Sequence, residues 1–311
     1  MASRVLTVGG AQLGPIQRAE TKASAVARLV DLMRQAAGRG CDLVVYPELA
    51  LTTFFPRWLI EDKAELDACF EATMPNADVQ PLFDTAKELG IGFHLGYAEI
   101  AGEHRFNTAI LVDKKGEIVA KYRKIHLPGH AEFEADRDFQ HLEKRYFEVG
   151  DLGFPVWEVM GGKIGMLICN DRRWPEAFRT LGLQGVELVM IGYNTPTLNG
   201  QTFEPPHLRA YHNTLSMLAG AYQNATWVAC IAKAGREDGF DLMGGSAIVS
   251  PNGEIAAQAV TLEDELIVAD CDLDAGNYLK SSVFNFAAHR RPEHYGLIVE
   301  ATGVVPPRGA P

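Results

Sequence analysis

A cysteine and two arginines follow an apolar run in the segment "KIGMLICNDRRWPE", residues 163–176. The apolar residues before Cys169 predict a buried strand, and the Trp-Pro pair after it is typical of a helix start, because proline is favoured in the first turn. A thiol beside a helix N-terminus and the guanidinium groups of Arg172 and Arg173 is expected to ionise easily. The pattern is compatible with a nucleophilic thiol, although a buried core cysteine is the commoner use of this residue.

Two charged residues also follow predicted strands. Glu48 comes after "VVYP" and before Leu, Phe and Trp residues. Burial there would favour the neutral carboxyl and suit a general base near neutral pH, although Glu48 could instead cap the next helix or pair with Arg57. Lys124, in "YRKIHLPGH", follows a predicted hairpin strand. Its ammonium could stabilise an oxyanion, and the alternative is an ordinary solvated lysine.

A second carboxylate, Glu143, lies in "QHLEKRYFEVGD". It is a weaker candidate, because the adjacent Lys144 and Arg145 offer it ordinary salt-bridge partners.

Apolar runs alternate with amphipathic stretches along the whole chain. We predict strands at "VLTVGG", "DLVVYPE", "IGFHLGYAE", "KIGMLICN", "VELVMIGY" and "TWVACIAK". Helices are predicted over residues 26–37 and at "DVQPLFDTAKELG", "WPEAFRTLGLQG" and "HLRAYHNTLSMLAGAYQN", with a loop at "NTPTLNGQTFEPP". Segments 110–122 and 247–259 predict β-hairpins with Gly-containing turns. The pattern predicts one α/β domain, residues 1–311, with mixed sheets covered by helices.

The composition excludes several classes of partner. The chain has 311 residues, with 29 Lys and Arg against 40 Asp and Glu and a formal net charge of −11. An acidic chain without a basic run repels nucleic acid and anionic membranes. We find no cleavable-leader pattern and no run of about 18 apolar residues, and we expect the five scattered cysteines to be free thiols. The prediction is a cytoplasmic protein that acts on a small molecule.

The order of these residues is more informative than each residue alone. Glu48 in "VVYPE", Lys124 in "YRKIH" and Cys169 in "ICNDRRWPE" resemble the Glu-Lys-Cys triad of the nitrilase superfamily, which cleaves carbon–nitrogen bonds in amides, nitriles and carbamoyl compounds. The resemblance covers essentially the whole chain and implies a four-layer α-β-β-α sandwich. Within it, "PELALTTFFPRW", "FQHLEKRYFEVGDLGFPV" and "GYNTPT" are similar to segments of the members that hydrolyse N-carbamoyl-D-amino acids.

The resemblance implies a role for each candidate. Cys169 would be the nucleophile and Glu48 the general base that later returns the proton to departing ammonia. Lys124 and the backbone N–H of Asn170 would hold the oxyanion. Glu143 would orient Lys124 or the substrate amine.

The resemblance also implies a substrate pocket. Arg172 and Arg173 would grip a carboxylate through bidentate hydrogen bonds. In the alternative interpretation, they form helix-start salt bridges to Asp171 or Glu176. The resemblance places the following further residues in the pocket: His126, His141, Asn170 and Thr195.

We expect no cofactor. His126 and His130 have a metal-like spacing, but Pro128 and Gly129 between them break the helix that would bring them together. The sequence contains no phosphate-binding or dinucleotide-binding glycine pattern. We assign no function to the charged loop 130–139.

Two further expectations depend on the resemblance. The family's assemblies imply a homodimer or homotetramer, with the segment after about residue 280 reaching a partner subunit. The alternative functions are another amidase of the superfamily, such as a β-ureidopropionase or carbamoylputrescine amidase, or a non-catalytic protein that kept the fold.

Overall fold

The computed structural model describes residues 4–137, 139–198, 204–307 and 309. Up to α4 the order of elements is β1 (Val5–Gln12), α1 (Lys22–Gly38), β2 (Leu43–Val45), α2 (Lys63–Asp67), α3 (Gln80–Leu89), β3 (Gly92–Ala101), β4 (His104–Val112), β5 (Ile118–Arg123) and α4 (Glu143–Tyr146).

The remaining elements are β6 (Val156–Val159), β7 (Gly162–Ile168), α5 (Pro175–Leu183), β8 (Leu188–Tyr193), α6 (Pro206–Asn224), β9 (Trp227–Ala232), β10 (Ala234–Glu237), β11 (Phe240–Met243), β12 (Ala247–Val249), β13 (Ile255–Gln258), β14 (Glu265–Asp272), α7 (Asn277–Lys280), α8 (Phe286–His289) and α9 (Gly296–Glu300). Short 3-10 helices cover Phe55–Arg57, Cys169–Arg173 and Pro292–His294.

Twelve of the described strands form two six-stranded mixed sheets, and β10 and β11 form a separate two-stranded sheet. The first has the order β14-β1-β2-β3-β4-β5, and the second has the order β13-β12-β9-β8-β7-β6. The central pairs β1–β2, β2–β3, β7–β8 and β8–β9 are parallel. The outer pairs are antiparallel. The mixed sheets and both predicted hairpins are therefore confirmed.

The buried side chains define four layers. In β2, Leu43 and Val45 point into the core between the sheets, whereas Val44 packs with Leu29 and Met33 under the outer helices. A strand buried on both faces reads as a continuous apolar run, which explains its sequence. Helices α1 and α3 cover the first sheet, and α5 and α6 cover the second. The α-β-β-α sandwich is confirmed.

Some elements differ from the predictions. Strand β2 ends at Val45, before the predicted "YPE": Tyr46 still donates to the His94 carbonyl at 3.1 Å, but Pro47 has no N–H to continue the pairing. The hairpin β10–β11 was not predicted, although its Asp-Gly turn with Gly239 at φ 88° is an ordinary hairpin signal. The 3-10 turn directly after β7 was also not predicted. Part of the predicted "NTPTLNGQTFEPP" loop, 199–203, lies outside the described residues.

The C-terminal segment forms short helices rather than another sheet layer, as expected. A cavity of about 850 Å³ separates it from α5 and α6, and its walls include Arg173, Phe178 and Phe284. None of the described helices is long and apolar enough to span a bilayer.

Candidate active site

Four of the predicted residues meet where strands of both sheets end. Glu48 follows β2 and Lys124 follows β5 in the first sheet, whereas Cys169 follows β7 in the second. Lys124 Nζ lies 2.8 Å from Glu48 Oε1 and 2.5 Å from Glu143 Oε2. Asn194, after β8, joins the two sides: its N–H donates to Glu48 Oε2 at 3.0 Å, and its carbonyl accepts from Cys169 Sγ at 3.4 Å.

Glu48 is completely buried and fully hydrogen-bonded. Besides Lys124 and the Asn194 N–H, it accepts a hydrogen bond from Asn107 Nδ2 at 2.7 Å. The alternative pairing with Arg57 is wrong, because Arg57 donates to Glu237 Oε1 at 2.7 Å. A carboxylate desolvated in this way requires such partners.

Two glycines allow Glu48 to reach this position. Gly96 in β3 and Gly192 in β8 lie against the backbone of residues 47–48 from opposite sides. A Cβ on Gly96 would come within 2.8 Å of Glu48 Cα, and one on Gly192 within 2.4 Å of Glu48 N. Real Cβ atoms do not make such contacts, so the absence of side chains here sets where the carboxylate sits.

Lys124 and Glu143 form a buried ion pair, and both side chains are fully shielded from solvent. Burial alone would lower the pKa of Lys124, but Glu143 and then Glu48 raise it above its ordinary value. Burial likewise raises the pKa of Glu143, but Lys124 and His141 Nε2, at 2.9 Å from Oε1, lower it overall. The lysine is held as an ammonium. Pairing of Glu143 with its chain neighbours Lys144 and Arg145 is wrong.

Cys169 occupies a strained turn. Its φ is 46°, in the left-handed region that residues with a side chain rarely adopt. Burial and the neighbouring Glu48 raise the pKa of the thiol to about 11, and Lys124 and Arg172 only partly offset them. The expectation of an easily ionised thiol is therefore wrong. Desolvation of this largely buried thiol, together with Glu48, outweighs the nearby cations, so the resting sulfur is protonated and requires a base.

Asp171 holds this turn against the segment that carries Lys124. Its buried carboxylate accepts hydrogen bonds from the N–H of Ile168 at 3.0 Å, the hydroxyl of Tyr122 at 2.7 Å and the N–H of His126 at 2.9 Å. The predicted alternative, an Asp171 salt bridge to an arginine, is wrong because these donors occupy the carboxylate.

The His126 ring also packs between the Cys169 turn and the segment that carries Lys124. It lies 5.1 Å from the Trp174 ring and 5.8 Å from the Phe154 ring, and its Nδ1 is 2.8 Å from Asp171 Oδ1. The side chain of Asn170 donates to the His126 carbonyl at 3.1 Å. The N–H of Asn170, near the start of a 3-10 helix, has no acceptor within that helix and can face an oxyanion.

The two adjacent arginines have different environments. Arg172 is 2 % exposed and donates to Thr195 Oγ1 at 2.9 Å, to Asn213 Oδ1 at 2.5 Å and to the Cys169 carbonyl at 2.6 Å. The prediction that both arginines bind the substrate carboxylate is therefore wrong for Arg172, because its N–H groups already donate to acceptors within the protein. Thr195 supports Arg172 rather than standing free.

Arg173 is half-buried, and we find no acceptor for its guanidinium among the described residues. Burial, and then repulsion by Arg172 and Arg209, lowers the pKa of Arg173 to about 10. Glu204 offsets this only in part, and it is itself paired with Arg209 and His212. A site with excess positive charge suits an anion.

The sequence predictions missed several residues of the site. Asn107 and Asn194 hold Glu48, and Asn213 holds Arg172. The available signal was a polar amide inside or directly after an apolar strand or helix face, since buried amides require specific partners. A preformed metal site is also absent from the described ranges, where no three His, Cys, Asp or Glu side chains are grouped so that they could hold a metal ion.

This geometry can perform covalent amide chemistry. A buried thiol, a carboxylate and an ammonium are arranged so that one group attacks, one accepts the proton and one stabilises an oxyanion. Two of the three N–H groups of Lys124 point to carboxylates, which leaves the third for a substrate oxygen.

Known proteins are similar to this chain in sequence and in fold. The family model described as carbon-nitrogen hydrolase matches residues 7–279. A protein named nitrilase from Pyrococcus abyssi is 30% identical over 85% of this chain and 90% of its own length. N-carbamoylputrescine amidase of Solanum lycopersicum is 27% identical over 98% of both chains. Citrullinase of Francisella tularensis is 28% identical over 90% of this chain and 94% of its own.

The solved structures agree on the fold. A carbon-nitrogen hydrolase from Helicobacter pylori G27 superposes with a TM-score of 0.82 at 22% identity, covering 96% of this chain and 99% of the other. An amidase from Nesterenkonia sp. superposes with a TM-score of 0.68 at 22% identity, covering 92% and 97%. The chain belongs to the carbon-nitrogen hydrolase family, the nitrilase superfamily, whose members act on carbon–nitrogen bonds other than peptide bonds.

Proposed function

We propose that this enzyme hydrolyses N-carbamoyl-D-amino acids to the D-amino acid, ammonia and carbon dioxide. The observation that carries the proposal is Arg173, a half-buried guanidinium without an acceptor among the described residues, four positions after the nucleophile candidate. A half-buried cation that has no acceptor in the described part of the chain favours a substrate with a free carboxylate. The D preference is supported by the sequence segments that resemble enzymes of this specificity.

Each step of the reaction has a group in place. Glu48 takes the proton of the Cys169 thiol as the sulfur attacks the carbamoyl carbon, and Lys124 with the Asn170 N–H binds the oxygen that becomes negative. Glu48 then gives its proton to the departing nitrogen, and ammonia leaves a thiocarbamate on Cys169. Glu48 deprotonates a water molecule that attacks the carbon of this thiocarbamate, and it returns the proton to the departing sulfur, which restores the thiol. The released N-carboxy amino acid loses carbon dioxide.

Glu143 and His141 keep Lys124 charged and correctly oriented. Glu143 keeps Lys124 charged and aimed, and His141 fixes Glu143 by its hydrogen bond. His126 and Asn170 hold the turn that presents the nucleophile. Arg173 would bind the carboxylate and so place the ureido carbon at the sulfur.

The experiment is to measure ammonia release from N-carbamoyl-D-phenylglycine and from its L enantiomer. N-carbamoylputrescine, citrulline and β-ureidopropionate are tested separately as alternative substrates. Cys169→Ala tests the nucleophile, and Cys69→Ala, which changes a half-buried thiol outside the site, is the matched control. We expect release from the D form alone, abolished only by Cys169→Ala.

The other outcomes separate reaction from substrate. Release from N-carbamoylputrescine, whose tail is a cation, would overturn the role of Arg173 while keeping the triad. Release from the L form, citrulline or β-ureidopropionate would keep the carboxylate but change the assigned substrate. A folded protein inactive on all five would support the non-catalytic alternative.

We also propose that the enzyme forms a homodimer or homotetramer. Helix α6 exposes the apolar rings and chains of Tyr211, Leu215 and Tyr222, and the C-terminal segment exposes Leu297 and Ile298. Contiguous apolar surface of this kind favours association. Sedimentation equilibrium tests it, and a monomer at micromolar concentration would overturn it.

A further inference from the structure

A second buried ion network adjoins the candidate active site. Glu237 Oε1 accepts from Arg57 Nη2 at 2.7 Å and from the N–H of Phe54 at 2.8 Å. Its Oε2 accepts from Lys233 Nζ at 2.9 Å and from the N–H of Ile16 at 3.0 Å. The side chains of Arg57, Lys233 and Glu237 are fully shielded from solvent.

Lys233 links this network to Glu48 by two routes. Its ammonium donates to the Thr52 carbonyl at 2.9 Å, in the segment that follows Glu48. Its backbone N–H donates to the Tyr193 carbonyl at 3.2 Å, and the next residue, Asn194, donates to Glu48 Oε2. Lys233 therefore supports the segment that carries Glu48 through these two hydrogen bonds.

The two networks carry opposite excess charge. Among the three directly paired side chains of the active site, Glu48 and Glu143 face one ammonium, Lys124, so the carboxylates are in excess by one; the buried cation Arg172 lies next to Cys169 and outside this group. In the second network, Arg57 and Lys233 face one carboxylate, so the cations are in excess by one. Charges buried in a protein interior interact over longer distances than charges in water.

Other titratable groups face these networks. Around Glu48 they are Lys124 and, on the second-sheet side, the Cys169 thiol. Asp238 faces Arg57, but it is half-exposed and accepts from the Thr53 hydroxyl and the Arg18 N–H, so solvent screens it. Burial lowers the pKa of Lys233, and Glu237 and Glu48 partly restore it.

We propose that Lys233, with Arg57 and Glu237, is a positioning residue for Glu48: the network holds the Glu48 loop, and its net positive charge stabilises the carboxylate that accepts the thiol proton. The proposal rests on the role of Glu48 as general base in the proposed function. It does not depend on which substrate the enzyme takes.

The experiment measures the pH profile of Cys169 alkylation by iodoacetamide in a Cys69→Ala background, which needs no substrate. Glu48 must be ionised to accept the thiol proton, so the rate falls on an acid limb. Lys233→Gln is expected to move that limb to higher pH by about one unit, because it removes a stabilising cation. Glu237→Gln removes a competing anion and is expected to move the limb to lower pH.

Two further variants test the charge itself. Lys233→Arg keeps the cation and is expected to leave the limb where it is in the parent. The double variant Lys233→Gln/Glu237→Gln restores the net charge of the network and is expected to return the limb towards the parent position. Circular dichroism reports the folded fraction of each variant, and Glu237→Gln carries the test alone if Lys233→Gln does not fold.

The result can overturn the proposal in two distinguishable ways. A limb that stays in place in both single variants, or moves in the same direction in both, would mean that the network is only structural. The absence of any acid limb in the parent, or its survival in Glu48→Gln, would remove Glu48 as the base and overturn the proposed mechanism together with this inference.

Discussion

The two sheets contribute unlike halves to the active site. The first sheet supplies Glu48 and Lys124, whose charges are buried and already paired with each other. The second supplies Cys169, a protonated thiol with two long hydrogen bonds, to the Asn194 carbonyl at 3.4 Å and from Arg172 Nη1 at 3.8 Å, and Arg173, whose guanidinium has no acceptor among the described residues. In the mechanism that we propose, this difference has a purpose: the residues of the first sheet prepare proton transfer before the substrate arrives, and those of the second sheet contact the substrate.

Removing the base should have the largest effect. Glu48→Gln keeps the shape of the side chain but cannot take the thiol proton, and we expect kcat to fall by about 10³-fold. Steady-state ammonia release measures it. The matched control is Glu99→Gln, which changes another buried carboxylate of the same sheet, one that pairs with Lys121 and Arg123 away from Cys169. An equal fall in both variants would contradict the specific role of Glu48.

Disturbing the contact between the sheets should have the next largest effect. Gly192→Ala places a methyl group against Glu48 N and forces the carboxylate away from the thiol. Misplacement of a catalytic group by about 1 Å costs about 10²-fold in rate. Gly38→Ala, at a helix-end glycine with open space around it, is the control. Unchanged kcat in Gly192→Ala would mean that the loop of Glu48 tolerates the displacement.

The adjacent arginines should separate binding from stability. Arg173→Gln is expected to raise KM for carboxylate substrates by about 10- to 100-fold. This factor corresponds to the free energy of one charge-assisted hydrogen bond. Arg172→Gln is expected to reduce the free energy of unfolding by about 3 kcal/mol, because it removes the donors that satisfy buried Asn213 and Thr195. Kinetics and urea denaturation of both variants measure this, and a reversed pattern would contradict the different roles of the two arginines, substrate binding for Arg173 and structural support for Arg172.

The smallest effect is spectroscopic. A raised thiol pKa keeps Cys169 protonated below about pH 11, so the thiolate absorbance near 240 nm should appear only as the pH rises through that value. The difference spectrum between the parent and Cys169→Ala isolates this thiol. Unfolded cysteine ionises near pH 8.5, so the same difference should make the folded state less stable as the pH rises above that value. A thiolate already present at pH 7 would restore the original expectation from the sequence.

Much of the fold could be predicted because its rules are local. Strands such as β2 and β8 are continuous apolar runs, the helices end at glycine or begin at proline, and the hairpins carry turn residues. The unpredicted β10–β11 hairpin lies in a polar segment, "REDGFDLM", without an apolar alternation strong enough to mark it.

The identities of Glu48, Lys124, Glu143 and Cys169 were also accessible from the sequence, because each stands directly after a strand or motif that resembles the family. What the amino-acid sequence determined by itself is therefore the order of most elements and a set of candidate reactive groups. The tertiary structure decided their partners and ionisation. Glu48 pairs with Lys124, 76 positions away, and not with nearby Arg57. Arg172 donates to Thr195, Asn213 and the Cys169 carbonyl, whereas Arg173 has no acceptor in the part of the chain that the structure describes, and the thiol is protonated. These outcomes depend on distances across two packed sheets and on how completely each group is desolvated, and neither is a property of the residues along the chain.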